Sequence, residues 1–308
     1  MMEFYTTVGQ VVVLFILLMT GFMVRRLNIV DDLFSKNLSN FVFNIVFPAM
    51  IIYSMDFPFS KKALIDGGWL IVISIGILLF SGIVSIISVK LLKADTLSEN
   101  IFHFGLLFSN FSFMGFPVIS AVFGEKAIFY TSIFIVPLRL AFNTIGVLIM
   151  QRGTREDVKI SVKSLINPPI VAVAAGFIIF LFSIQLPSAV NTSIKMVAGT
   201  MTPLGLMIVG LNLANAKFAA MFSNYKVYIV SVIRLIVLPI CLFVILKAFQ
   251  FDSLMIGVPV IITAMPIAAS ASILAEKYDG DSYLGAQSVF ISTLLSIVTI
   301  PFIALIVT

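Results

Sequence analysis

Charge is what this sequence has least of. Of its 308 residues only 11% are Asp, Glu, Lys or Arg, while 60% are apolar. A soluble domain carries about 25% charged residues, so this chain lacks the polar surface to face water, and lipid is its natural solvent. Cysteine is confined to Cys241, inside an apolar run, so no internal disulfide can form and the residue reads as packing. Histidine is confined to His103, which reads as an interfacial residue and not a ligand. There is no His-Glu-x-x-His, no carboxylate pair within an apolar run and no Gly-rich phosphate loop. These absences exclude the usual intramembrane enzymes, and no metal site and no cofactor are expected. The net charge of +5 is read as basic residues flanking membrane spans, so no nucleic-acid partner is expected.

Apolar runs make up the rest. A helix crossing the hydrocarbon needs ~20 mostly apolar residues. Ten candidate spans are read at roughly 6–24, 38–55, 68–91, 101–123, 127–150, 166–185, 191–213, 226–248, 254–276 and 283–307. The first run ends in Arg25-Arg26 with no charge before it, unlike a cleaved signal, and reads as a retained span. Twelve basic residues, among them Arg25, Arg26, Lys90, Arg152 and Lys163, fall in one alternate set of loops, and five fall in the other. The basic set belongs in the cytoplasm. The expected location is the cell (inner) membrane, multi-pass, with both termini extracytoplasmic and the lipid bilayer as a partner.

Ten spans divide into two sets of five, and an odd number inserts the halves with opposite topology. The expected fold is therefore an all-α polytopic membrane protein, ten transmembrane helices in two inverted five-helix repeats with broken, crossing helices 4 and 9. The boundaries expected are 1–150 for the first repeat, 151–165 for a cytoplasmic connector and 166–308 for the second repeat. Pro48 and Pro203 lie 155 positions apart, and at that offset Asn110 meets Met265, next to Pro266.

The fourth run reads Ser109-Asn110-Phe111-Ser112-Phe113-Met114-Gly115-Phe116-Pro117, and the ninth contains Met265-Pro266 followed by the small residues Ala268 to Ser272. Proline removes a backbone donor and clashes with the preceding turn. Irregular backbone survives in a membrane only where protein or a watery cavity covers it, and interrupted helices in matching places mark transporter sites. Pro117 and Pro266 are accordingly expected to be the helix breaks. Free amides at the half-helix ends would suit a carboxylate. Two arginines, Arg139 and Arg234, lie inside apolar runs, whereas all 14 Asp and Glu lie in loops or at run ends. A buried arginine is costly and usually functional, and guanidinium matches carboxylate well. An anionic substrate would supply the missing charge. The competing reading is that each arginine bonds backbone carbonyls at a broken helix.

The motif Asn110-x-x-Phe113-x-Gly115-x-Pro117 resembles the fourth-span motif of the auxin efflux carrier family. Asn167-Pro168, Thr202-Pro203-Leu204 with Gly210, Met265-Pro266 with Leu274-Ala275, Tyr278 and Asp281, and Ser292-Thr293-x-x-Ser296-x-x-Thr299-x-Pro301 extend the likeness along the whole chain. The resemblance implies a fold related to the bile acid:sodium symporters. It also implies a scaffold of spans 1, 2, 6 and 7 that forms a homodimer, transport helices 3–5 and 8–10, and an elevator-like motion. Plant members export auxin and carry a long loop after span 5. The loop here is about 15 residues, closer to prokaryotic members, some associated with malate or malonate.

The expected function is secondary transport of a small organic anion, a mono- or dicarboxylate. The candidate substrate-binding residues are Asn110, Ser112, Gly115, Pro117, Arg139, Asn143, Thr202, Met265 and Pro266, with Arg234 as a possible charge partner. Proton relays use intramembrane acids and none is present, so the coupling ion (Na+ or H+) stays open beside uniport. The alternatives are a membrane sensor or channel built on a transporter fold, or a sodium-coupled symporter of another organic solute.

Overall fold

The structure, a computed structural model, describes residues 2–56, 59–153, 166–214 and 221–308. Most of the connector expected over 151–165 lies outside them. The regular elements among the described residues are all helices, with one isolated antiparallel bridge between Ser109 and Ile267. In chain order the helices are α1 (Met2–Arg26), α2 (Asp32–Phe41), α3 (Phe47–Met55), α4 (Lys61–Leu92), α5 (Thr96–Leu107), α6 (Phe116–Phe123), α7 (Lys126–Ala141) and α8 (Val147–Gln151). They continue as α9 (Pro168–Phe182), α10 (Ser188–Gly199), α11 (Met201–Ala214), α12 (Tyr225–Val232), α13 (Leu238–Ala248), α14 (Ser253–Thr263), α15 (Ser270–Lys277) and α16 (Ser282–Val307).

The expectation of ten membrane-crossing helices in a five-plus-five inverted repeat is corrected by these elements. Among the described residues six helical stretches are long and apolar enough to cross a bilayer: Leu33–Met55, Lys61–Leu92, Lys126–Gln151, Ser188–Ala214, Tyr225–Ala248 and Ser282–Val307. The expected run 101–123 is divided at Phe108 to Asn110, and the run 254–276 is divided between Ala264 and Ala269. Each piece is too short. The 12 residues of α5 reach about 18 Å at 1.5 Å per residue, against ~30 Å of hydrocarbon. The run 166–185 holds a helix of 15 residues, α9. The run 6–24 falls in α1, which is not among the six. Hydropathy adds residues along the sequence and is blind to a break that keeps its apolar character, so it merged separate segments into full-length spans.

Four π turns occur among the described residues: Val42–Val46, Phe142–Gly146 and Ile233–Val237 each join one helix to the next, and Phe111–Gly115 leads into α6 from the non-helical Phe108 to Asn110. Three of these are followed at the second position of the next helix by a proline, Pro48, Pro117 and Pro239. The carbonyl that a proline strands is four residues back, namely Asn44, Phe113 or Leu235, and in each case it lies inside the π turn. The wider spacing re-registers the ladder around the missing donor: Phe47 N–H bonds to Val42 O and Leu238 N–H to Ile233 O, five residues apart. Pro117 is thereby absorbed without interrupting the helix.

The chain forms two compact units, each assembled from three stretches. The first comprises Met1–Ile71, Ser112–Val136 and Val162–Asn215. In it α1 packs backbone-to-backbone on α11. A Cβ at Gly210 would lie 1.9 Å from Leu18 O, and one at Gly21 would lie 2.1 Å from Met207 O. Small residues allow such approach where apolar side chains gain nothing over lipid. On α3, Met55 fills the space left by Gly176 of α9. Asn191 donates to the Asp56 carboxylate at 2.5 Å, and Ser35 to Asn212 at 3.0 Å. Phe47 and Phe116 meet edge to face at 4.7 Å.

The second unit comprises Val72–Phe111, Pro137–Ser161 and Ala216–Thr308. Asp95 caps α5, accepting from the Ser98 backbone at 3.1 Å and its hydroxyl at 2.7 Å. These bonds, the hydroxyl's first, hold the Asp95 carboxyl below its ordinary range. The cap is therefore fully formed above the ordinary carboxylate pKa and is lost as pH falls through the lowered one. Phe104, Phe108 and Phe142 form a cluster with centroids 5.1–5.4 Å apart, and Gly146 admits the Phe104 and Phe108 rings against its backbone. On α16, Gly285 lets Ser272 of α15 approach to 2.9 Å of where a Cβ would stand. His103 shares a 2.7 Å hydrogen bond with Ser85. Ile75, Leu79, Ile83, Ile86 and Leu91 of α4 are exposed, an apolar surface suited to lipid and not to water.

The α1–α11 contact gives the first prediction. Gly210→Leu drives a side chain into the Leu18 backbone and abolishes the monodisperse peak in detergent size-exclusion chromatography. Gly82→Ala, with nothing within 4 Å of the new Cβ, leaves that peak intact and raises helix stability by up to about 1 kcal/mol.

Candidate functional site

The site grows from two interruptions in the second unit. After Leu107 the chain leaves the helix; Phe108 adopts φ −120°, ψ 115°. After Thr263 a second stretch runs non-helically as far as Ala269. The two stretches hydrogen-bond to one another as a short antiparallel pair. Asn110 N–H donates to Pro266 O at 2.8 Å, and Ala268 N–H donates to Phe108 O at 3.1 Å. Each break thus supplies the donor and acceptor that the other lacks. That is how irregular backbone persists away from water.

Side chains complete the pairing. Ser109 Oγ donates to Ile262 O at 2.9 Å, and Ser292 Oγ of α16 accepts from Ile267 N–H at 3.1 Å. A Cβ at Gly105 would stand 2.8 Å from Ile267 Cδ1, so glycine is what lets α5 lie this close to the second break. Arg234, on the π turn Ile233–Val237, is 3% exposed. Its Nη1 donates to Leu106 O at 2.8 Å and its Nε to Met265 O at 3.3 Å. One guanidinium therefore ties the carbonyl side of both breaks.

Arg139, near the end of α7, is 5% exposed. Its guanidinium carbon stands 5.2 Å from the centroid of the Phe111 ring, a cation–π contact worth ~0.5–2 kcal/mol. Phe111 follows Asn110, so Arg139 lies beside the first break. Asn143 follows on the π turn Phe142–Gly146 and is half-buried. A cavity of about 10 Å³ lies against Phe108, Ser109, Phe111, Leu138, Arg234 and Thr263, room for about one water.

Six of the residues singled out in the sequence, Asn110, Arg139, Asn143, Arg234, Met265 and Pro266, thus belong to the second unit. Asn110, Met265 and Pro266 meet directly at the paired breaks. Ser112, Gly115, Pro117 and Thr202 belong to the first unit. Pro266 stands in a break. Pro117 stands in a continuous helix, and the interruption expected there lies at Phe108 to Asn110, where there is no proline. The polar pair Ser109-Asn110 within an apolar run is the signal that marks it. Phe111 was not anticipated as an arginine partner, since an aromatic in an apolar run carries no distinguishing mark. Among the described residues no group of three His, Cys, Asp or Glu side chains could hold a metal.

Buried hydroxyls divide by what they bond. Ser292→Ala leaves Ile267 N–H without an acceptor and is expected to destabilise by about 1–3 kcal/mol, seen as a lower Tm in detergent. Ser81→Ala removes a hydroxyl with no hydrogen-bond partner, and its Tm stays at or above that of the unsubstituted protein.

The signature of a family described as membrane transport protein matches residues 6–304. The chain is similar to an uncharacterized transporter of Methanothermobacter thermautotrophicus, 25% identical over 301 residues that cover 97% of this chain and 98% of the relative. It is 26% identical over 300 residues to the uncharacterized transporter MJ1031 of Methanocaldococcus jannaschii, covering 94% and 95% of the two. It is also 25% identical over 199 residues to the uncharacterized transporter YfdV of Escherichia coli K12, covering 61% and 62%. With paired helix breaks inside a multi-pass membrane chain and a family match running almost end to end, the protein belongs to the membrane transport protein family, that of the auxin efflux carriers.

Proposed function

We propose that the chain is a secondary carrier of a small organic anion, a mono- or dicarboxylate, and that it works by elevator-type alternating access. The observation that carries this reading is Arg139, a buried guanidinium beside the Asn110 break, in a sequence whose acids all lie in loops or at run ends. An ionisable residue inside a membrane segment marks a functional site, and guanidinium meets a carboxylate with two parallel donors. The Asn110 side-chain amide adds a hydrogen bond, and the first turn of α15 contributes the positive end of a helix. Asn143 extends the polar lining.

The cavity beside the breaks has room for about one water in this conformation, so the substrate enters in another. That requirement favours a moving element over a fixed pore. The second unit holds the paired breaks and is the transport part in this proposal; the first is the scaffold and the surface through which two copies form a homodimer. Arg25 and Arg26 close α1, and by the positive-inside rule this reading puts that end in the cytoplasm and the N-terminus outside. A membrane-impermeant thiol reagent on intact cells labels a cysteine introduced at residue 3 in a Cys241→Ser background; labelling only after lysis reverses the orientation.

Reconstituted into liposomes, the protein gives saturable carboxylate counterflow. Arg139→Ala and Asn110→Ala reduce that counterflow while leaving a folded protein in the membrane. For Arg139→Ala the loss is at least about 100-fold, from the ~3–5 kcal/mol of a broken buried charge pair. Wild-type flux in both variants removes those residues from the site. Non-saturating flux indicates a channel, and absence of flux for every carboxylate indicates a sensor or a different solute.

A further inference from the structure

Arg139 and Arg234 are both buried, but they are placed differently. Arg139 faces an aromatic ring beside the first break. Arg234 points both of its hydrogen bonds at backbone carbonyls, Leu106 O before the first break and Met265 O within the second. Carbonyls at unwound helix segments are the groups that coordinate a transported Na+ in carriers with broken helices. Here a covalently held cation already reaches one carbonyl from each break, at 2.8 and 3.3 Å. The cavity it borders is about 10 Å³, room for about one water.

We propose that the Arg234 guanidinium is a resident cation that performs at the paired breaks the role a coupling ion would otherwise perform, so that transport is independent of sodium. Arg234 is a positioning residue in this scheme and not a substrate ligand. Its charge neutralises the carbonyl ends of both interruptions and fixes their distance. The anion meets Arg139 instead. A coupling ion would leave with each cycle and release the breaks; a tethered guanidinium stays, and the two segments remain joined throughout. The inference rests on the carrier reading for its meaning, but its structural part can be tested without any substrate.

The experiment is thermal unfolding of the purified protein in NaCl, KCl and choline chloride at equal ionic strength, with no substrate present. The unsubstituted protein is expected to melt at the same temperature in all three, within about 1 °C, because Arg234 already holds the carbonyls an ion would take. Arg234→Ala is expected to melt several degrees lower in choline chloride and to recover by roughly 3–8 °C in NaCl or methylguanidinium chloride. A variant that yields folded protein only when purified with one of those cations supports the proposal equally. Selective stabilisation of the unsubstituted protein by Na+ overturns it. So does an Arg234→Ala protein that melts like the parent and ignores all cations. If the variant cannot be recovered in any salt, the parent's response to Na+ decides by itself. Carboxylate uptake by the parent that needs a sodium gradient would overturn the coupling claim while leaving the carrier reading intact. Absence of carboxylate uptake would remove the carrier reading while leaving the melting result standing.

Discussion

Two interrupted backbone segments satisfy one another in the second unit, and the rest of the site depends on that exchange. Asn110 N–H reaches Pro266 O and Ala268 N–H reaches Phe108 O. An unpaired backbone group away from water costs several kcal/mol, so neither break is tolerable alone. Paired, they leave only a few carbonyls and amides to satisfy. Those are taken by the side chains of Ser109, Ser292 and Arg234. Every one of these side chains bonds a main-chain group at or next to a break.

That relation explains what could be read from the sequence. The class of protein was plain from charge scarcity and apolar runs, and the family from short motifs spread along the chain. The number of crossings was not. Phe108 interrupts the fourth run without a proline or glycine, and it is as apolar as its neighbours, so a hydropathy count passes straight through it. Proline misled in the opposite direction. Pro117 was read as a break, yet a π turn upstream absorbs the missing donor there, as it does at Pro48 and Pro239. Only the surrounding hydrogen-bond register separates these from Pro266, and register is not written in composition. The two compact units each draw on three separated stretches of chain, an arrangement set by packing and invisible to a left-to-right reading.

The arginines were conspicuous in the sequence, which ranked Arg139 above Arg234 as a substrate ligand but did not show what either one bonds. Both stand in apolar runs with no acid nearby. In the structure one lies against an aromatic face, whose quadrupole supports a cation without neutralising it, while the other is bonded to two carbonyls. A guanidinium already bonded to two carbonyls keeps less capacity to attract an anion. The hydrogen bonds tie Arg234 to the cohesion of the breaks, and substrate attraction is proposed for Arg139.

The central claim is that the two interruptions are hydrogen-bonded to each other and are not loose loops. Amide hydrogen exchange of the detergent-solubilised protein tests it most directly, followed at Asn110 and Ala268. The account predicts that both amides exchange as slowly as those in the middle of the neighbouring helices, because opening them requires the segments to separate. Exchange at either position as fast as in an exposed turn would contradict it.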